Sequence, residues 1–99
     1  MSQSTDNFTD NTARSRYELE VDGEIAFIDH VAEGDAVAFM HTEVPKSMAG
    51  KGIGSKLVRG ALDDARRRGL KVVPRCPFVH EYVERHPEYQ DIVLPVNKD

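Results

Sequence analysis

Tryptophan is absent from the 99 residues, cysteine occurs once, and aromatic residues make up only 7%. One cysteine cannot close an internal disulfide, so the fold must hold by packing and a reducing compartment is expected. No apolar run is long enough to span a bilayer, and the polar, acidic start from Met1 to Asp10 has no apolar signal core. These absences predict a cytoplasmic protein with no membrane contact. Excess positive charge is missing too. A net charge of −4 and a pI near 5.5 give no general electrostatic hold on nucleic acid. The length itself allows one domain with one modest core.

Residues 1–15 are rich in Ser, Thr, Asp and Asn, with Phe8 as the one aromatic. They bury too little to offset their ordering entropy, so a disordered tail is expected, followed by a single domain over 16–99. From Arg16 the pattern changes. Tyr17, Leu19 and Val21 alternate with polar residues, the period of a half-buried strand. Asp22-Gly23 is a two-residue hairpin signal. Glu24 to Val31 reads as the return strand, with Ile25, Phe27 and Val31 on one face, Ala26 and Ile28 on the other, and both faces covered. After a turn at Glu33-Gly34-Asp35, Ala36 to Val44 reads as a third strand, ended by Pro45. Three linked strands make an antiparallel meander.

A helix follows from about Gly52 to Arg68. Ile53, Leu57, Val58, Ala61, Leu62 and Ala65 form its core stripe. Asp63 and Asp64, four residues before Arg67 and Arg68, suit salt pairs on its exposed side. The Arg66–Arg68 run complements the helix dipole, and Gly69 suits the position just past the end. Leu70 to Val73 is a short strand that a crossover would lay parallel to the Ala36 strand. Pro77 opens a last helix with Cys76 at its N-cap and Phe78, Val79, Tyr82 and Val83 on one face. That helix stops before Pro87. Ile92 to Leu94 adds a short strand or docks as a tail. The fold class is α/β, an α+β mixed sheet: a three-strand meander, a right-handed β-α-β crossover and a further helix.

The most informative feature is Gly50-Lys51-Gly52-Ile53-Gly54, between a strand and a helix. Backbone N–H groups and a helix N-terminus make an anion site there, glycines admit a ligand to the backbone, and Lys51 adds a charge. Two nucleotide readings fail on spacing. A Walker loop needs glycine where Pro45 stands and Ser or Thr after its lysine, where Gly52 stands. A dinucleotide fingerprint needs its third glycine one residue beyond Gly54, and an acid after the next strand, which ends Pro74-Arg75-Cys76.

The segments HTEVP (His41 to Pro45), GKGIGSKLV (Gly50 to Val58) and RGLKVVPRCPFVHEYVERHPEY (Arg68 to Tyr89) resemble the GNAT superfamily of N-acetyltransferases, in its minimal single-domain form. Gly52 and Gly54 match the glycines of the family pattern. Ala49 stands where that pattern has Arg or Gln. The resemblance implies a sheet that splays between the Ala36–Val44 and Leu70–Val73 strands, with acetyl-CoA as cosubstrate in the wedge. The pyrophosphate would rest on Ala49, Gly50, Lys51, Gly52, Ile53, Gly54 and Ser55. The pantetheine arm would run along backbone from Thr42 to Val44. Small members of this kind lack the helices that wall the acceptor site, which implies an open site for a small amine or a protein side chain.

Amine acetylation requires carbonyl polarisation, removal of the amine proton and protonation of the leaving thiolate. A backbone N–H around Glu43 or Val44 can polarise the carbonyl. Cys76 opens a helix beside Arg75, where a thiol pKa is lowered and an acetyl group could be carried. It reads equally as a small buried residue at a strand end. His41 and Glu43 are the base candidates, each with a structural alternative, His41 as a satisfied packing group and Glu43 as a solvated acid. His80-Glu81 with Glu84 lacks the second histidine of a zinc protease motif, and no metal is expected. Tyr82 and Tyr89 read as packing residues. The expectation is an acetyl-CoA-dependent N-acetyltransferase acting as a monomer on an amine acceptor. The alternative is a non-catalytic CoA-binding or protein-interaction module.

Overall fold

A computed structural model describes residues 7–95. Five strands form one sheet in the order β1-β2-β3-β4-β5. They are β1 (Asn7–Asn11), β2 (Arg16–Val21), β3 (Glu24–Glu33), β4 (Ala36–Glu43) and β5 (Lys71–Pro74). The first four are antiparallel neighbours and β5 lies parallel to β4. Helix α1 (Ile53–Arg67) links β4 to β5, and α2 (Pro77–Arg85) follows β5.

The Asp22-Gly23 turn has positive φ at both residues, 53° and 83°. Only a mirror-image turn of this kind matches the twist of the strands it joins. It puts Tyr17 opposite Ile28 and Leu19 opposite Ala26, all four buried. Leu57, Val58, Ala61, Leu62 and Ala65 of α1 cover that face and are fully buried. Burying each leucine contributes about 2 kcal/mol. Val79, Tyr82 and Val83 of α2 join the same core, so both helices lie on one side of the sheet.

Four expectations are corrected. The disordered tail over 1–15 does not hold for 7–15, which form β1 and a 3-10 turn at Thr12–Arg14, extending the meander to four strands; residues 1–6 lie outside the described range. Tertiary contacts order this segment. Phe8 stacks on Tyr17 at 5.6 Å, and its ring lies where a Cβ on Gly60 would come within 2.9 Å, so a mid-helix glycine makes room for it. Asp10 bonds His30 at 2.9 Å and Arg68 at 3.2 Å.

The second correction concerns Ile25, Phe27 and Val31. No described helix covers their face, and Ile25 and Val31 are exposed. Arg16 caps Phe27 by a cation–π contact at 4.2 Å. Third, Asp64 is buried rather than exposed, because Tyr17 donates its hydroxyl to it at 2.9 Å and Arg67 and Arg68 pair with it. Fourth, Phe78 is exposed, because the second residue of α2 points past the core toward the start of α1. At the C-terminal side, Val93 makes a single parallel bridge to Val72.

Candidate functional site

The register of β3 on β4 shifts between Asp29 and His30, so Met40 has no partner on β3. Such an extra residue bends a strand and increases its twist. The pairing of β4 with β5 ends at Phe39↔Pro74, just where the bulge falls. Past that point β4 runs on to Glu43, while β5 turns away into α2. The two parallel strands therefore open into a wedge, as the resemblance implied. Cys76 sits at its apex, its N–H donating to the Phe39 carbonyl at 2.8 Å. Its thiol is buried and 3.2 Å from the Thr42 hydroxyl.

The mouth of the wedge is the start of α1. Gly52 is the N-cap at φ 72°, a left-handed conformation that an L side chain adopts only at a cost of roughly 1–2 kcal/mol. No side chain caps this helix and its first turn holds no acid. The amides of Gly52, Ile53, Gly54 and Ser55 have no acceptor within the helix, as in any first turn. They sit at the positive end of the dipole and favour a bound anion.

The predicted loop divides in two. The Ala49 and Lys51 amides are spent on the Lys46 and Met48 carbonyls, at 3.0 and 3.3 Å. Ala49 and Gly50 therefore shape the turn, and Lys51 offers its side chain, while Gly52 to Ser55 present the amides. A further signal lay unread in the sequence. From Val44 to Leu62 there is no acid, while Lys46, Lys51, Lys56 and Arg59 all fall there. The segment that brings the helix start thus carries only positive charge, although Asp22 and Glu24 lie beside Lys51 in space.

His41 and Glu43 are brought together, with Nε2 3.3 Å from the carboxylate, and both are exposed. They are not brought to Cys76. His41 pairs with Asp29 and Glu43 with Phe27, on the open face, whereas Thr42 pairs with buried Ile28 on the helix side. Strand alternation thus puts the base candidates and the thiol on opposite faces of one edge. Val44 is half-buried against the core. Tyr82 stacks on His86 at 3.9 Å, and burial raises its hydroxyl pKa. Tyr89 donates to Asp63 at 2.8 Å, and burial first, then this bond, raise its pKa well above the usual range. Both are packing residues.

A hollow of about 420 Å³ lies on the opposite face of α2 from the wedge, lined by Pro74, His80, Val83, Glu84, Gln90 and neighbouring residues. It has none of the helix-terminal amides, and size alone does not make it the anion site. Among the described residues no group of three His, Cys, Asp or Glu could hold a metal ion, and no helix is long and apolar enough to cross a membrane.

Comparison with known proteins agrees with this architecture. The family model described as GCN5-related N-acetyl-transferase matches residues 16–92. Protein NATD1 from chicken, mouse and human is 37% identical over 51 residues, 52% of this chain. The aligned part is 46% of the chicken and mouse proteins and 45% of the human one, so the chain spans about half the length of the curated relatives it matches. A GCN5-like protein from Staphylococcus aureus, solved by NMR in solution, superposes with a TM-score of 0.73. It covers 96% of this chain and 94% of its own at 23% identity, a likeness of fold alone.

Proposed function

The chain belongs to the GCN5-related N-acetyltransferase family, and from that premise we propose that it transfers an acetyl group from acetyl-CoA to an amine. The observation that carries this reading is the uncapped, acid-free start of α1 at the mouth of a strand wedge. The amides of Gly52 to Ser55 bind the diphosphate, and the Lys51 side chain adds charge. Backbone from Thr42 to Val44 holds the pantetheine arm, and an N–H at Glu43 or Val44 polarises the thioester carbonyl. Gly54 lets α1 approach the wedge closely.

The acceptor amine approaches from the sheet face that the helices leave open. His41, with Glu43 at 3.3 Å, takes its proton as nitrogen attacks the carbonyl carbon. The tetrahedral intermediate then collapses, the C–S bond breaks, the departing thiolate takes a proton from water, and His41 returns its proton to the hydroxide left behind. Cys76 is buried and engaged with Thr42, which favours a wall of the wedge over an acetyl carrier. Ala49 supports a second reading, a CoA-binding module without turnover, since it brings no side chain to the diphosphate.

Calorimetric titration with acetyl-CoA, followed by a screen of lysine peptides, free N-termini and small polyamines, tests both. Binding with acetyl transfer is the expected result. Binding without transfer to any acceptor class would establish the module, and no binding would end both readings. Cys76→Ala is expected to keep turnover within a fewfold of wild type. Its loss with CoA binding intact, together with an acetyl adduct mapped to Cys76, would move the mechanism to a covalent route.

A further inference from the structure

Phe78 is the one large apolar residue of α2 left exposed, at 41%. Its position is nevertheless defined. A Cβ built on Gly54 would come 2.7 Å from the tip of the Phe78 ring and 3.1 Å from the adjoining ring carbon, with Val44 Cγ2 at 3.6 Å. The leading edge of the ring thus rests on Gly54 in the first turn of α1, beside Val44, the residue that follows β4. Any residue larger than glycine at position 54 would push it out.

Behind the ring lies a hollow of about 100 Å³, lined by Ser55, Phe78, Glu81, Tyr82, Arg85 and His86. The stacked Tyr82 and His86 rings form part of its wall. Phe78 and Ser55 line this hollow together, so it adjoins the first turn of α1 where the ring tip now rests and gives the ring open space to turn into. Side chains move between discrete staggered rotamers.

We infer that Phe78 is the gate of the coenzyme wedge, its ring tip covering Gly54 at the start of α1 in the free protein and swinging toward the Tyr82–His86 recess to let the coenzyme in. This rests on the reading of the wedge as the CoA site. A chain running along Thr42–Val44 to reach the amides of Gly52–Ser55 crosses the spot that the ring tip fills. The gate sets the rate of entry, and Gly54 is glycine because the closed ring needs its missing Cβ.

Three measurements on the full chain test the gate. In a double-mutant cycle without ligand, Gly54→Ala should lower the melting temperature of wild type and have a clearly smaller effect in Phe78→Ala. An equal effect in both backgrounds would show that the ring does not rest there and would overturn the gate. In stopped flow with fluorescent etheno-CoA, Phe78→Ala should associate at least fivefold faster than wild type. A rate within twofold, with binding intact, would also overturn it. Because the chain has no tryptophan, Phe78→Trp is a single reporter. Its emission should shift on saturation with CoA, and unchanged emission during calorimetrically confirmed binding would contradict the swing. If wild type binds no CoA in calorimetry, the wedge reading fails and takes the gate with it, while the ligand-free cycle still reports separately on the contact.

Discussion

The two ends of α1 are built on opposite principles. At its C-terminal end every strong polar group has a partner. Tyr17 donates to Asp64, Arg67 and Arg68 pair with Asp64, Arg68 also reaches Asp10, and Asp10 bonds His30. Arg66 adds a bond to the Glu88 carbonyl and a pair with Asp91. This knot ties β1, β2, β3, α1 and the C-terminal segment together. At the N-terminal end the helix has no side-chain cap, no acid in its first turn, and a glycine in a left-handed conformation. Stability is concentrated at one end, and unsatisfied hydrogen-bonding capacity is kept for a ligand at the other.

That contrast can be broken at either end. Asp64→Ala should have the largest effect on stability. It strands the buried Tyr17 hydroxyl and frees two arginines, costing about 2–4 kcal/mol, discounted because both arginines are partly exposed. Urea denaturation would show it, and CoA affinity of the folded fraction should stay unchanged. Gly52→Val should do the reverse. Forcing a β-branched residue to φ 72° costs about 1–2 kcal/mol of stability, but it disrupts the amide cluster and should weaken CoA binding by at least about tenfold. Equal affinity in calorimetry would sink the loop as the phosphate site.

Alkaline pH should loosen the tied end. Burial first, then the bond to Asp64, raise the Tyr17 pKa; burial and Asp63 do the same for Tyr89. A folded-state pKa above the unfolded value near 10 means that this stability is complete below pH 10 and is lost as pH rises beyond it. Unfolding midpoints should therefore fall above pH 10, and Tyr17→Phe should flatten that fall. The smallest expected change is Lys51→Ala. An exposed lysine near a bound phosphate contributes about 0.5–1 kcal/mol, so affinity should drop only about two- to fivefold, and less at high salt.

The two ends also differed in how far the sequence revealed them. The glycine pattern, the Asp22-Gly23 turn and the Ile53–Ala65 stripe are local signals, and the wedge follows from the crossover that they imply. The tied end depends on pairings distant in sequence. β1 has one aromatic among polar residues, and what orders it is Phe8 on Gly60 and Asp10 on Arg68 and His30. Asp64 was nevertheless legible. On a helical wheel it falls between Ile53 and Leu57, inside the apolar stripe, which is the mark of a buried acid with a partner. Cys76 and His41 were both found as candidates, but strand alternation, which puts them on opposite faces, needed the register of β4 on β3.

Amide NMR spectra of the full chain, recorded with and without saturating acetyl-CoA, test the central contrast in one experiment. The account predicts large shifts at Thr42–Val44 and Gly52–Ser55, with Asp10, Tyr17, Asp64 and Arg68 unmoved. Shifts centred on the Asp64 end, or on the hollow beside His80 and Glu84 with Gly52–Ser55 silent, would contradict it.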